Sequence, residues 1–308
     1  MLSRMSPAAA VVIRPNVEQA NIAALRDAYS KMQAFVPADN RSWIYWGEFH
    51  GFNRYDCWHH SSTGPEQGTS NQTTYSYDLF LPWHRAYLHS FDHVVRDQNQ
   101  EAVLPWWDWT SAISAKIGVP TAYAEESVDG QPNPLANGPT PDMPDDPARR
   151  TRRFAGNPAE LPGWTKTKVE EGNRLMAIGD LLDLQSFADF SQQIQNIHDF
   201  VHPWVGGTDP ADRNIGGDMG MIPVAAFDPI FYAHHTMIDR LWYLWQLKHG
   251  ANNIPSNYLS KVLAPFGLTV QQVLDVSALG YEYAGSTAAA GPNLAANTPA
   301  AQPGAGKV

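Results

Sequence analysis

The sequence predicts a mainly α-helical chain with long irregular loops and little β structure. Three observations carry this. Apolar residues recur at helical spacing in five segments. Two long stretches, residues 51–78 and 118–165, are rich in Gly, Ser, Thr or Pro and show no period. The 308 residues are 43% hydrophobic and 17% charged, with 11 Trp, which describes a globular protein with a dense aromatic core.

The elements follow in order. From Asn16 to Phe35, the residues Ile22, Leu25, Tyr29, Met32 and Phe35 form one stripe; Asn16 can cap, Gln19 suits a capping box, and Pro37 ends the helix. A second helix runs from Asp39, with Trp43, Trp46 and His50 spaced three and four apart, until Gly51 breaks it. The loop 51–78 holds Cys57-Trp58-His59-His60, and a loop this long inside a domain is often functional. A third helix begins near Pro82 and places His84, Leu88, Phe91 and Val95 on one face. Leu104-Pro105-Trp106-Trp107-Asp108-Trp109 reads as an aromatic turn. Residues 118–165 read as a surface excursion, and its basic run, Arg149, Arg150, Arg152 and Arg153, as a solvated patch or a set of ion pairs. A fourth helix spans Ser186 to His202, with Phe187, Phe190, Ile194, Ile197 and Val201 on its apolar side. The last helix lies in AFDPIFYAHHTMIDRLWYLW, residues 226–245: Asp228 suits the N-cap, Pro229 the first position, and Gly250 the far end. After Tyr283 the chain turns Ala-, Gly- and Pro-rich to Val308, the composition of a flexible end.

Charge and composition exclude several function classes. A net charge of −10 argues against nucleic acid and anionic membranes as partners. No apolar run approaches the roughly 18 residues of a membrane span. The N-terminus makes a poor secretory signal, which slightly favours a cytoplasmic location. A single cysteine, Cys57, rules out an internal disulfide framework.

The histidines are the informative residues. Ten of the 11 fall in three groups: His50/His59/His60, His84/His89/His93 and His198/His202/His234/His235. Most stand beside aromatic or aliphatic residues, where an imidazole must be bonded or coordinated. His198 and His202 are four apart and project from one helix face. Asp239 lies four after His235, where a carboxylate can hold a coordinating imidazole from behind. The zinc-protease pattern fails, because Asp199 stands where it needs Glu. Imidazole-rich, thiolate-poor coordination suits copper, iron or zinc. Taken alone, the last helix is equally a core helix with two satisfied histidines.

Two dense motifs then decide. Leu79-Phe80-Leu81-Pro82-Trp83-His84-Arg85-Ala86-Tyr87-Leu88 resembles the first-copper signature of the tyrosinase and polyphenol oxidase family, the type 3 copper proteins. Asp228-Pro229-Ile230-Phe231-Tyr232-Ala233-His234-His235 through Ile238-Asp239-Arg240 resembles its second-copper signature, and His198-Asp199-Phe200-Val201-His202 supplies the expected pair. The resemblance runs from about Arg14 to Tyr283. It implies a four-helix-bundle core holding a dinuclear copper site, in a catalytic domain over residues 1–283 followed by a tail over 284–308. It further implies two copper ions, one held by His50, His59 and His84, the other by His198, His202 and His235, with His234 a neighbour. The implied reaction oxidises phenols and catechols to o-quinones with O2. Tyr281-Glu282-Tyr283 resembles the motif that closes the catalytic domain, and Arg14 its N-terminal partner.

The chain departs from the family's pattern in places. Tyr75 stands nine residues before His84, where the family commonly has a copper ligand; His59 is preferred because Cys57-x-His59 resembles a pair that forms a thioether in some members. The other reading of Cys57 is an ordinary buried thiol. Members that hydroxylate monophenols often use a Glu upstream of the first second-copper histidine and an Asn after it; here these are Gln195 and Asp199. Asp199 can act as a base and Gln195 cannot. Ile222 corresponds to a residue gating the site and implies an open pocket. Asp92, where members usually carry Glu, is expected behind the site or in a buried ion pair. A catechol or o-aminophenol oxidase is the alternative within the enzyme class. A hemocyanin-like oxygen carrier is the rival outside it; such units add a β-domain, for which the residues after Tyr283 are too few. The same shortness leads to the expectation of an enzyme open without proteolytic activation. The oligomeric state is not legible.

Overall fold

A computed structural model describes residues 11–52, 57–58, 79–141, 149–161, 167–170, 173–250 and 254–285. Among them the helices are α1 (Ile22–Ala34), α2 (Trp43–Gly47), α3 (Phe80–Gln98), α4 (Ser114–Ile117), α5 (Thr121–Ala124), α6 (Ile178–Asp183), α7 (Phe187–Gly206), α8 (Ile222–Ala225) and α9 (Ile230–His249). The strands among the described residues form only two-stranded pairs. The mainly α expectation therefore holds, with a core of four long helices in which α3 packs against α1, α7 and α9.

Local chemistry explains where each helix starts. The first apolar stripe breaks into two elements because two asparagines cap separately. Asn16 accepts the Glu18 N–H at 3.0 Å and opens a 3-10 turn, Val17–Gln19; Asn21 accepts the Ala24 N–H at 3.1 Å and opens α1. The second helix is shorter than expected. Ser42 caps it, accepting the Ile44 N–H at 3.2 Å, while Asp39, the expected start, binds its neighbour Arg41. Gly51, with φ +77°, turns the chain out just after His50. At the start of α9, the Asp228 carboxylate accepts the Ile230 N–H at 3.2 Å and pairs with Arg153 at 2.8 Å.

That pairing corrects one half of the reading of the basic run. Arg149 and Arg153, with side chains only 15% and 10% exposed, form ion pairs with Asp218 and Asp228, so they fasten the irregular segment to the α8–α9 region rather than facing solvent. α7 also runs a turn further than expected, through Pro203 to Gly206.

The first and last strands among the described residues meet in the core. Strand Val12–Arg14 lies parallel to strand Tyr281–Tyr283, and this brings buried Arg14 to Asp239. The interior is aromatic throughout: Phe91 of α3 stacks on Tyr232 of α9 with ring centres 3.7 Å apart, and Trp43 meets Tyr232 edge-on. No helix among the described residues is long and apolar enough to cross a membrane. Of the expected tail, only Ala284 and Gly285 are among the described residues.

Candidate metal centre

Four elements aim imidazoles into one buried space. His50 follows α2; His84 stands on the first turns of α3; His198 and His202 lie on α7; His234 and His235 lie on α9. All six are buried. Their donor nitrogens form two overlapping groups, His50/His84/His235 and His198/His202/His234/His235, each within 4.8 Å. His235 belongs to both. His59, the expected third ligand on the first side, and His60 lie outside the described residues, as does the proposed thioether partner of Cys57. Cys57 itself is buried near Gly51, one residue from His50.

Backbone carbonyls fix three of the tautomers. His50 Nδ1 donates to the Ile222 carbonyl at 3.0 Å, His84 Nδ1 to the Phe80 carbonyl at 2.8 Å, and His202 Nδ1 to the Met219 carbonyl at 2.8 Å. A carbonyl can only accept, so the proton sits on Nδ1 and each Nε2 carries a lone pair. On the other side of the rings the Nε2 atoms converge: His50 and His84 at 3.4 Å, His202 and His235 at 3.1 Å, His198 and His235 at 3.3 Å. In the His50–His84 pair, two lone pairs face each other with no proton to share. That arrangement is unfavourable unless a cation lies between them.

Electrostatics point the same way. Burial pushes the imidazoles of His50, His84, His198, His234 and His235 well below their ordinary value, and neighbouring rings add to it; His202 is brought down to about 4. The cluster is thus neutral at pH 7, the form in which imidazole binds metal. A donor set of imidazoles alone, without thiolate or carboxylate in either group, fits copper, iron or zinc. The residues present therefore fit a copper centre.

Asp199 supports the site differently from Asp239. His198 Nδ1 donates to Asp199 Oδ1 at 2.9 Å, so a carboxylate orients that ring. Asp239 does not reach His235, against expectation. Its oxygens take Arg85 Nε at 2.5 Å, the Tyr281 hydroxyl at 2.7 Å and the Tyr283 hydroxyl, with Arg14 at 3.6 Å. The i, i+4 spacing put Asp239 on the right face, but two guanidinium groups and two phenols claim it first. Burial alone would raise its pKa; Arg85 and Arg14 hold it below the ordinary carboxylate value. His235 Nδ1 has no hydrogen-bond partner among the described residues. Asp92, as expected, enters buried ion pairing, with Arg14 at 4.0 Å and Arg96 at 3.1 Å.

A cavity of about 230 Å³ opens onto the cluster, lined by His50, His198, Asp199, His202, Met219 and Ile222 among others. Ile222, 52% exposed, is among the lining residues, and its carbonyl also fixes His50. Gln195 is buried one turn before His198. The sequence reading missed the carbonyls of Phe80, Met219 and Ile222, because a backbone acceptor leaves no side-chain signal.

Comparison with known proteins supplies the family. The profile described as "Common central domain of tyrosinase" matches residues 40–248. Hemocyanin 1 of Megathura crenulata is 30% identical over 201 residues, 61% of this chain and 6% of that protein. Tyrosinase HcTyr1 of Hahella sp. (strain CCB-MM4) is 27% identical over 286 residues, 83% of this chain and 59% of that one. This chain thus spans less than two thirds of either relative. Among solved structures, a functional unit of octopus hemocyanin superposes with a TM-score of 0.65 at 24% identity, covering 89% of this chain and 68% of that one. The tyrosinase of Burkholderia thailandensis at high pH gives 0.67 at 21% identity, covering 92% and 76%. These superpositions bear on the fold alone.

Proposed function

The chain belongs to the tyrosinase family, the type 3 copper proteins, and from that premise we propose that it oxidises phenols and catechols to o-quinones with O2. His50, His84 and His59 are proposed to hold one copper ion, and His198, His202 and His235 the other. When bound, the copper pair supplies O2 activation and takes up the electrons of the substrate. Every other step belongs to the chain's own residues.

The observation that carries the reading is the cavity of about 230 Å³ that reaches His50, His198 and His202 with the Asp199 carboxylate in its wall. A phenol ring enters past Ile222 and Met219, which present apolar surface and exclude water from its face. Asp199 accepts the phenolic O–H proton; one of its oxygens serves His198, and a carboxylate has a second to offer. Gln195 cannot take that proton, so Asp199 bears the role alone. Backbone carbonyls hold His50, His84 and His202 in place, and the long helices α7 and α9 carry His198 and His235.

The test is to load the protein with copper and follow a monophenol and its catechol side by side. Quinone from both supports the proposal. Quinone from the catechol alone favours a catechol or o-aminophenol oxidase. A second reading, an oxygen carrier, is favoured by the hemocyanin matches, which are as strong as the tyrosinase ones, at 30% against 27% identity. Reversible O2 binding without turnover of either substrate would establish it and defeat the enzyme reading.

A further inference from the structure

Two pairs of histidines in this protein are four residues apart on a helix. One, His198/His202 on α7, belongs to the buried centre. The other, His89/His93 on α3, belongs to nothing described so far. We propose that His89 and His93 form a second, surface metal site, chelating one divalent transition-metal ion that prefers imidazole.

The geometry carries this. The rings of His89 and His93 have centres 4.4 Å apart and an interplanar angle of 69°; those of His198 and His202 have centres 4.4 Å apart and an angle of 70°. Two imidazoles bound to one ion at a metal–nitrogen distance of about 2.0–2.1 Å place their ring centres roughly 4.5–5.2 Å apart, for bond angles from a right angle to the tetrahedral value, so a small rotation of the exposed His93 ring suffices. The outer pair thus repeats the ring spacing and angle of the buried pair. It points away from the copper centre, because His89 lies five residues after His84, roughly 140° around the helix.

The surroundings allow binding. His93 is exposed and His89 half-buried, and their rings touch each other. Burial, then His93 and the charges of Arg14 and Arg96, pull the His89 imidazole down to about 4, so its lone pair is available at neutral pH. Both arginines oppose a cation, but both are ion-paired, Arg14 to Asp92 and Asp239, Arg96 to Asp92. The pair lacks the third and fourth imidazoles of the buried groups, so the ion exchanges with solvent rather than being locked in.

The probe is zinc, titrated calorimetrically into the copper-loaded protein after removal of free metal. Zinc does not compete with copper for imidazole sites already filled. One equivalent of zinc should bind to the unaltered protein, and its affinity should fall at least tenfold in both His89→Gln and His93→Gln, with copper content and thermal melting unchanged. No zinc uptake, uptake unaffected by either substitution, or loss in only one of the two variants would overturn the chelate.

Discussion

The two histidine pairs have the same spacing and the same ring geometry, yet they sit in opposite environments. On α7, His198 and His202 are 3% and 8% exposed, each Nδ1 is held by an acceptor, and His235 closes over both. On α3, His93 is exposed and His89 half-buried, and no wall of acceptors or third imidazole among the described residues closes over them. Helical spacing supplies the chelate in both places. What makes one a candidate catalytic centre is the set of carbonyls and the carboxylate behind the rings, and the helix that crosses in front.

The comparison can be broken most severely at His235. It lies in both donor groups, so His235→Ala should abolish oxidase turnover and lower bound copper by at least one equivalent, measured by metal analysis; full copper content would show that the groups do not share it. On the other side of the centre, His59→Ala should also abolish turnover and His60→Ala should not. The reverse result would move the third ligand by one position.

Acid should test the burial of the clustered imidazoles. Unfolded imidazoles titrate near 6.5, whereas burial holds the clustered ones lower, His202 at about 4. Between those values the unfolded chain binds protons that the folded chain does not. The metal-free protein should therefore lose stability as the pH falls from about 6.5 toward 4. Thermal melting across that range checks this; a flat profile would mean that the cluster is not buried as described.

Asp239→Asn tests the frame behind the centre. Removing the charge leaves Arg85 and Arg14 buried beside a neutral group, which should cost about 3–5 kcal/mol in chemical denaturation. A loss below about 1 kcal/mol would show that the phenols and carbonyls suffice. The smallest effect is expected at Asp199. Asp199→Ala should weaken copper retention by about 10–100-fold, because His198 loses its acceptor. Asp199→Asn can still accept from His198, so it should keep the copper yet lose monophenol turnover while retaining catechol turnover. Equal loss of both activities would remove Asp199 from the proton step.

Much of the fold was legible because period and caps are local. The stripes of α3, α7 and α9 fell where apolar spacing put them, while the cap of α9 lies one residue later than read, on Pro229, with the Asp228 carboxylate accepting the Ile230 N–H from just outside. The first helix was read too long because both Asn16 and Asn21 are good caps, and only the chain's path past Ala20 shows that each starts its own element. Arg149 and Arg153 read as a charge run, but their partners Asp218 and Asp228 lie far along the chain. Burial of charge by a distant partner leaves no mark on local sequence.

The sequence by itself determined the family and the long helices α3, α7 and α9 that carry most of the clustered histidines, because apolar stripes and dense motifs are local patterns. Only the tertiary structure decided how those histidines are held. It brought the Ile222 and Met219 carbonyls to His50 and His202, diverted Asp239 from His235 to Arg85 and the two C-terminal tyrosines, and made His235 common to both donor groups. The physical reason is that a hydrogen bond is won by the partner that arrives closest in space, and distance in space is fixed by packing, not by position along the chain.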